Sequence, residues 1–302
     1  MPHVLACGDA ASFAASLAAR EKQPVHLCYV DPPFNVGASF AARTKKSETR
    51  GRTTRESGPA AYEDRWGGLD GFLAFLEPNV AAIRSVLHER GQFWLHLDYR
   101  AVHDAKVLCD RVFGRQAFRG EVIWLPGNGA RGHRGPPATH QTILIYTRSV
   151  AAQPDLVWNA DHPTLRESFA AGSLETHFRH VDEAGRKYRD RTVNGKTYRY
   201  FADEGRRLGS VWTDLPAMVA NTPLLREGTG YPTQKPERLL ERIIRLATIA
   251  GDTVCDPMCG SGTTLVVAGK LGRRFLGNDA SPLAFEIASK RLREAGLEFS
   301  AA

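Results

Sequence analysis

The segment Val254-Cys255-Asp256-Pro257-Met258-Cys259-Gly260-Ser261-Gly262-Thr263-Thr264 constrains this chain more than any other. A short strand runs into a turn with two glycines, and a helix-forming run follows. Such a turn belongs to an open α/β sheet, where ligands bind outside the carboxyl ends of the strands. The glycines let backbone approach a ligand closely, and the opening helix turn offers unpaired N–H groups. The spacing is neither G-x-G-x-x-G nor G-x-x-x-x-G-K-[ST], so a phosphate cradle is not what it describes.

The flanking sequence supports that fold class. Val4–Ala6 and Val25–Val30 are apolar runs of strand length, separated by the helical composition of Ala10–Ala19. Leu69, Phe72, Leu73, Leu76, Val80, Ile83 and Leu87 recur at helical spacing across 69–89. Pro78 inside that stretch predicts a kink or two helices, and Gly91 predicts its end. Gln92–Leu97 reads as a strand and Ala101–Phe113 as a helix closed by Gly114. Further on, Pro236 opens a helix through Leu239, Leu240, Ile243, Ile244 and Ala247. Strands at Thr253–Cys255 and Arg274–Gly277 and a helix at Pro282–Glu294 complete the chain. Buried strands alternating with helices predict a parallel sheet. The pattern breaks between 125 and 230, where PGNGARGHRGPP, a β-like run Thr142–Thr147 and an Asn194-Gly195 hairpin signal predict an insertion with its own small sheet and long loops.

Composition narrows the partners. The chain has 302 residues and a formal net charge of +7, which favours a polyanion. Residues 43–55 hold six Lys/Arg and one Glu; residues 186–207 hold eight Lys/Arg and three acids, with Tyr188, Tyr198, Tyr200 and Phe201 interleaved. Both read as phosphate-facing surface. No run approaches the roughly 20 apolar residues of a membrane span. MPHVLACGDA lacks a secretory leader pattern, so a cytoplasmic location is expected. Cys7, Cys28, Cys109, Cys255 and Cys259 lack metal-site spacing and are expected as buried thiols, with no metal bound.

A second turn carries chemistry of its own. Asp31-Pro32-Pro33-Phe34 follows the Val25–Val30 strand, and its two prolines forbid helix and stiffen the loop. The Asp31 carboxylate and the Pro32 carbonyl can present two acceptors, which suits the two N–H donors of an exocyclic amino group. Phe34 can stack on a base, as an enzyme that extrudes its target nucleotide requires. Asp279 lies 23 positions beyond Asp256, after the next strand, where an acid can accept hydrogen bonds from ribose hydroxyls. A helix cap is the alternative reading of that residue.

These residues resemble the motifs of the amino-group DNA methyltransferases. Asp31-Pro32-Pro33-Phe34 is similar to their catalytic motif, and Asp256–Thr264 to their cofactor motif, with Met258 in place of the usual Phe. GYPTQKPERLL at 230–240 and Gly8-Asp9 resemble two further family segments. The catalytic motif precedes the variable region and the cofactor motif comes last, a permuted order similar to the β class. The resemblance implies a mostly parallel, Rossmann-like seven-stranded sheet with helices on both faces. It implies a catalytic half at 1–124, a target-recognition insertion at 125–230 and a cofactor-binding half at 231–302.

It also implies S-adenosyl-L-methionine as cofactor. Asp256, Gly260 and Gly262 would line its methionine part, and Met258, Ser261, Thr263 and Thr264 would also bind the cofactor. Thr233, Lys235 and Pro236 would sit by its carboxylate, Asp279 would hold the ribose and Asp9 the adenine amino group. Asp31 would adjoin it while Asp31, Pro32, Pro33 and Phe34 hold the target base. Double-stranded DNA is the implied substrate, with Arg131, His133, Arg134, Arg189, Arg191 and Arg199 as candidate contacts. A homodimer and a cognate restriction endonuclease are candidate partners. Adenine-N6 is the expected target. Cytosine-N4 is the alternative, and an RNA or protein methyltransferase and a non-catalytic DNA-binding protein are the rivals. No Cys stands in a Pro-Cys motif suited to attack on cytosine C6, so C5 methylation is not expected.

Overall fold

The computed structural model describes residues 2–20, 24–34, 37–49, 52–127, 135–218 and 227–302, with backbone alone at 38, 43–49 and 52–57. The chain divides into two compact units, Met1–Val157 with Ser210–Ala302, and Trp158–Gly209. In chain order the first unit opens with β1 (Val4–Cys7), α1 (Ala10–Arg20), β2 (Val25–Val30), β3 (Ala38–Thr49) and β4 (Arg52–Asp64). It continues with α2 (Leu69–Val86), β5 (Leu87–Leu97), α3 (Val102–Phe113), β6 (Phe118–Trp124) and β7 (Gln141–Thr147). The second unit holds β8 (Arg166–Glu167), α4 (Ala171–His177), β9 (His180–Val181), β10 (Lys187–Val193), β11 (Lys196–Phe201) and β12 (Arg206–Arg207). The first then resumes with β13 (Val211–Trp212), α5 (Glu237–Ala247), β14 (Thr253–Asp256), α6 (Thr263–Lys270), β15 (Arg274–Asp279), α7 (Pro282–Glu294) and β16 (Ser300–Ala301).

One sheet organises the first unit, in the order β13-β6-β7-β5-β2-β14-β15-β1-β16. The expected seven strands are its body, and the two-residue strands β13 and β16 extend its edges to nine. Only β7 runs antiparallel to its neighbours β5 and β6. The central strands read as apolar runs because both their faces are covered. Leu27, Cys28, Tyr29 and Val30 on β2 are fully buried, as are Phe93, Trp94, Leu95 and Leu97 on β5.

The order of the strands positions the site. β2, β14, β15 and β1 are adjacent and parallel, with Cys28 opposite Cys255, Cys255 opposite Leu276 and Leu276 opposite Val4. Their carboxyl ends therefore share one edge. Each leads into or ends on an aspartate: Asp31 after β2, Asp256 on β14, Asp279 on β15 and Asp9 after β1. Two motifs separated by more than 200 residues of sequence thus lie on neighbouring strands.

Two sequence expectations change and a third is resolved: Pro78 lies inside a single helix, α2, one of the two arrangements expected. Asn79 sits buried in the disturbed turn and donates from Nδ2 to the Phe75 carbonyl at 2.8 Å. Gly91 does not end that helix. α2 stops at Val86 and β5 starts at Leu87, and Gly91 marks a register shift between Val25/Leu87 and Leu27/Gln92. A Cβ there would stand 2.7 Å from the Val25 carbonyl oxygen, the close approach typical of a strand glycine at a bulge. Among the cysteines, Cys7 is exposed, because it ends an edge-side strand; the other four are buried free thiols.

The compact second unit is narrower than residues 125–230. β7 is an interior strand of the large sheet, and β13 pairs with β6. Trp124 anchors this return segment, donating from Nε1 to the Leu215 carbonyl at 2.6 Å. Within the second unit, β10 and β11 form the expected hairpin, with Val193 opposite Lys196 and positive φ at Asn194 (50°) and Gly195 (76°). Two successive left-handed residues match the twist of the flanking strands, hence Asn-Gly. Of the basic run 43–55, residues 43–49 lie on β3 and 52–55 on β4, and the side chains of the run lie outside the described residues.

Candidate active site

A cavity of about 400 Å³ opens at the carboxyl edge of β1, β2, β14 and β15. It brings together Asp9, Asp31, Pro32, Pro33, Phe34, Thr233, Lys235, Asp256, Met258, Gly260, Ser261, Thr263, Thr264 and Asp279 from the sequence analysis. Pro236 and Gly262 are not on its wall. Pro236 caps the start of α5. Gly262, at φ 75°, caps α6, and a Cβ there would come within 2.8 Å of Ala288 Cβ. Its missing side chain lets the turn pack on α7. Arg131, His133 and Arg134 lie outside the described residues.

Arg189, Arg191 and Arg199 belong to the second unit and differ among themselves. The Arg189 guanidinium lies 5.1–5.5 Å from the rings of Phe178, Phe169 and Tyr200, as part of that unit's small core. Arg199 pairs with Asp190 at 2.9 Å and stacks on Tyr188. Arg191 is exposed.

The Gly-rich turn is held from below. Asp279 accepts from the Gly260 N–H at 2.8 Å and from the Ser281 N–H at 2.9 Å. Asn278, fully buried, donates from Nδ2 to the carbonyls of Gly8 (2.8 Å) and Pro257 (3.1 Å), tying two of the cavity loops together. Arg291 on α7 donates to the Ser261 carbonyl and the Thr263 hydroxyl, both at 2.9 Å, and to Glu237 at 3.0 Å. Sequence reasoning missed these supports. It also missed Tyr62 and Tyr231, which line the cavity with rings 6.2 Å apart. Tyr62 reaches the Thr233 hydroxyl at 3.0 Å, across 171 positions. Tyr231 lay within the GYPTQKP segment, a signal left unused; Tyr62 had none.

Asp31 sits at the base of the cavity. Lys235 forms an ion pair with its Oδ2, while Oδ1 is buried with no hydrogen-bond partner among the described residues. The Lys235 ammonium also lies 4.9 Å from the Phe34 ring centre. Lys235 was expected beside the cofactor carboxylate; here it serves the Asp-Pro-Pro-Phe loop. Behind Phe34, His96 hydrogen-bonds Tyr29 at 2.7 Å, and its burial and the Lys235 charge keep the imidazole neutral.

The cavity is strongly acidic. Asp9, Asp31, Glu63, Asp64, Asp256 and Asp279 line it against the single cation Lys235, among the described residues. Burial raises Asp31 against the pull of Lys235, and raises Asp279 against two N–H donors. Burial pushes the Asp256 carboxyl up to about 7, with Asp31 and Asp279 adding like charge. A carboxyl raised on folding stabilises the fold while protonated. The stability of the cofactor-free protein relative to Asp256→Asn is therefore expected to be largest below its ordinary value of 3.8. It should fall as pH rises through about 7 and level off above, in urea denaturation at a series of pH values. A difference that does not vary with pH contradicts this.

Comparisons with known proteins place the chain in a family and a fold. The chain is 23% identical over 312 residues to the Type II methyltransferase M.EcaI of Enterobacter cloacae, covering 90% of this chain and 65% of that enzyme. The chain thus spans less than two thirds of that relative's length. Its fold matches TTHA0409 of Thermus thermophilus, solved in complex with S-adenosyl-L-methionine, at a TM-score of 0.55 and 20% identity over 99% and 98% of the two chains. It also matches the cytosine-N4-specific PvuII DNA methyltransferase at a TM-score of 0.57 and 15% identity, over 96% and 86%. A family profile described as DNA methylase matches residues 25–290. The chain belongs to the N6/N4 DNA methylase family.

Proposed function

We propose that the chain transfers the methyl group of S-adenosyl-L-methionine to the N6 amino group of adenine in double-stranded DNA, on a base flipped out of the duplex. One observation carries the reading: Asp31 Oδ1, buried and unpartnered among the described residues, belongs to the same cavity as the Gly260 turn. The first is an acceptor in want of an N–H donor, and an unpaired buried acceptor costs about 1–3 kcal/mol. The second is the backbone cradle of a nucleoside cofactor.

The cavity's charge fits this cofactor. Six carboxylates against one ammonium disfavour any dinucleotide or phosphate-bearing ligand and favour a sulfonium cation. Asp256, Gly260, Ser261 and Thr263 would hold its methionine part, Asp279 its ribose and Asp9 its base. Tyr62 and Tyr231 would cover it. When bound, the cofactor supplies an already activated methyl group, so the protein's task is alignment. Positioning of that kind can supply on the order of 7–11 kcal/mol. Asp31 Oδ1 accepts one amino N–H and the Pro32 carbonyl accepts the other, which favours a pyramidal nitrogen with a localised lone pair. Phe34 offers its ring for stacking, and the flip costs a few kcal/mol.

An aspartate opening the catalytic motif supports adenine over cytosine, by resemblance to the family's usage. Recognition of the site would fall to the second unit and its flanks, within 125–230. Mass spectrometry of nucleosides from duplex DNA treated with the protein and cofactor tests this. N6-methyladenine is expected; N4-methylcytosine would move the target to the other base, and no methylated nucleoside would remove the reading.

A further inference from the structure

We propose that Lys235 is a positioning residue for methyl transfer: its ammonium clamps Asp31 Oδ2 and shares the Phe34 ring, so that Oδ1 alone faces the target amino group. The inference rests on the methyltransferase reading. It gives Lys235 a duty toward the target base instead of toward the cofactor.

The geometry is specific. Lys235 and Asp31 are 204 positions apart in sequence, and their side chains are only 10% and 18% exposed. Lys235 lines the cavity but spends its charge on the Asp31 carboxylate and the Phe34 face, both belonging to the loop that would hold the base. One carboxylate oxygen is fixed and the other is buried without a partner among the described residues. A carboxylate with both oxygens free can rotate; one held through Oδ2 presents Oδ1 in one direction.

The clamp also sets the charge of Asp31. Among the described residues, Lys235 opposes the burial that raises this carboxyl. The other titratable groups around it, among the described residues, offer no positive charge: Tyr29 on β2, Tyr62 on β4, His96 on β5, Asp256 on β14 and Asp279 on β15. His96 is buried and neutral, and the Asp31 charge raises Asp256. Without Lys235, Asp31 would protonate at higher pH. Its Oδ1 would then compete as a donor where an acceptor is required.

The test uses the cofactor-free protein, labelled with 13C at the aspartate carboxyls, with the Asp31 signal assigned by its loss in Asp31→Asn. The Asp31 titration midpoint is expected to rise by about one pH unit or more in Lys235→Met, and to return toward wild type in Lys235→Arg. Lys235→Gln gives a second neutral variant should the methionine impair folding, which thermal melting checks. With DNA and saturating cofactor, the acid limb of the kcat profile should move the same way. An unchanged Asp31 midpoint in a folded neutral variant overturns the proposal, whatever happens to cofactor affinity. A wild-type protein that methylates no DNA would instead remove the underlying reading while leaving the titration result standing.

Discussion

Asp31→Ala is expected to lose methyl transfer by roughly 10²–10⁴-fold while still binding S-adenosyl-L-methionine. The range is that seen when a positioned proton-accepting or charge-stabilising group is removed from an active site. Asp31 leaves β2 at the sheet edge, one strand from β14, with Oδ2 engaged by Lys235 and Oδ1 unpartnered among the described residues. The hydrogen bonds that hold the Gly260 turn come from Asp279 and Arg291 instead, so the cofactor's cradle should survive the loss of Asp31. The alanine leaves the Lys235 ammonium unpaired in a nearly buried position, which lowers stability. Circular dichroism and calorimetric cofactor titration must therefore accompany the rate assay with tritiated cofactor. Asp31→Asn keeps the size and one acceptor and should fall between. Wild-type turnover in folded Asp31→Ala would rule out the role.

Asp279→Ala is expected to weaken cofactor binding by roughly 10- to 100-fold, from the loss of hydrogen bonds worth about 1.5–3 kcal/mol each when one partner is charged. Its oxygens already hold the Gly260 and Ser281 N–H groups. The cap reading and the ribose reading are thus compatible: two lone pairs face the backbone, and the remaining ones are open to a ligand in the cavity. Removal acts twice, deleting the ribose acceptor and loosening the turn that carries Gly260. Isothermal calorimetry reads the effect. An unchanged affinity contradicts the ribose assignment, and a loss matched by Asp279→Asn would put the weight on charge rather than on shape.

Local features were legible in the sequence because short stretches determine them. The Asp256–Thr264 turn, the Asp31–Phe34 loop and the Asn194-Gly195 hairpin each follow from residues within a dozen positions. What sequence hid is non-local or depends on packing. The Lys235–Asp31 pair and the Tyr62–Thr233 bond join residues that only the sheet order brings together. Arg291 looks like any basic residue on a surface helix, yet it is largely buried beneath the turn it supports. Gly91 illustrates the opposite error. A glycine after a helical pattern has two physical uses, and the bulge against Val25 won because α2 had already ended. The motif shows Gly262 as part of the turn but not that Ala288 of α7 leaves no room for a Cβ there.

On the proposed function, a methyl donor and an everted base meet in one cavity, between the turn after β14 and the loop after β2. A crystal structure with a non-reactive analogue of S-adenosyl-L-methionine and a duplex carrying the target site measures this directly. The target amino nitrogen is predicted within hydrogen-bonding distance of Asp31 Oδ1 and roughly 3–3.5 Å from the position of the transferable methyl. An analogue bound away from Gly260 and Asp279, or a base held apart from Phe34, would contradict it.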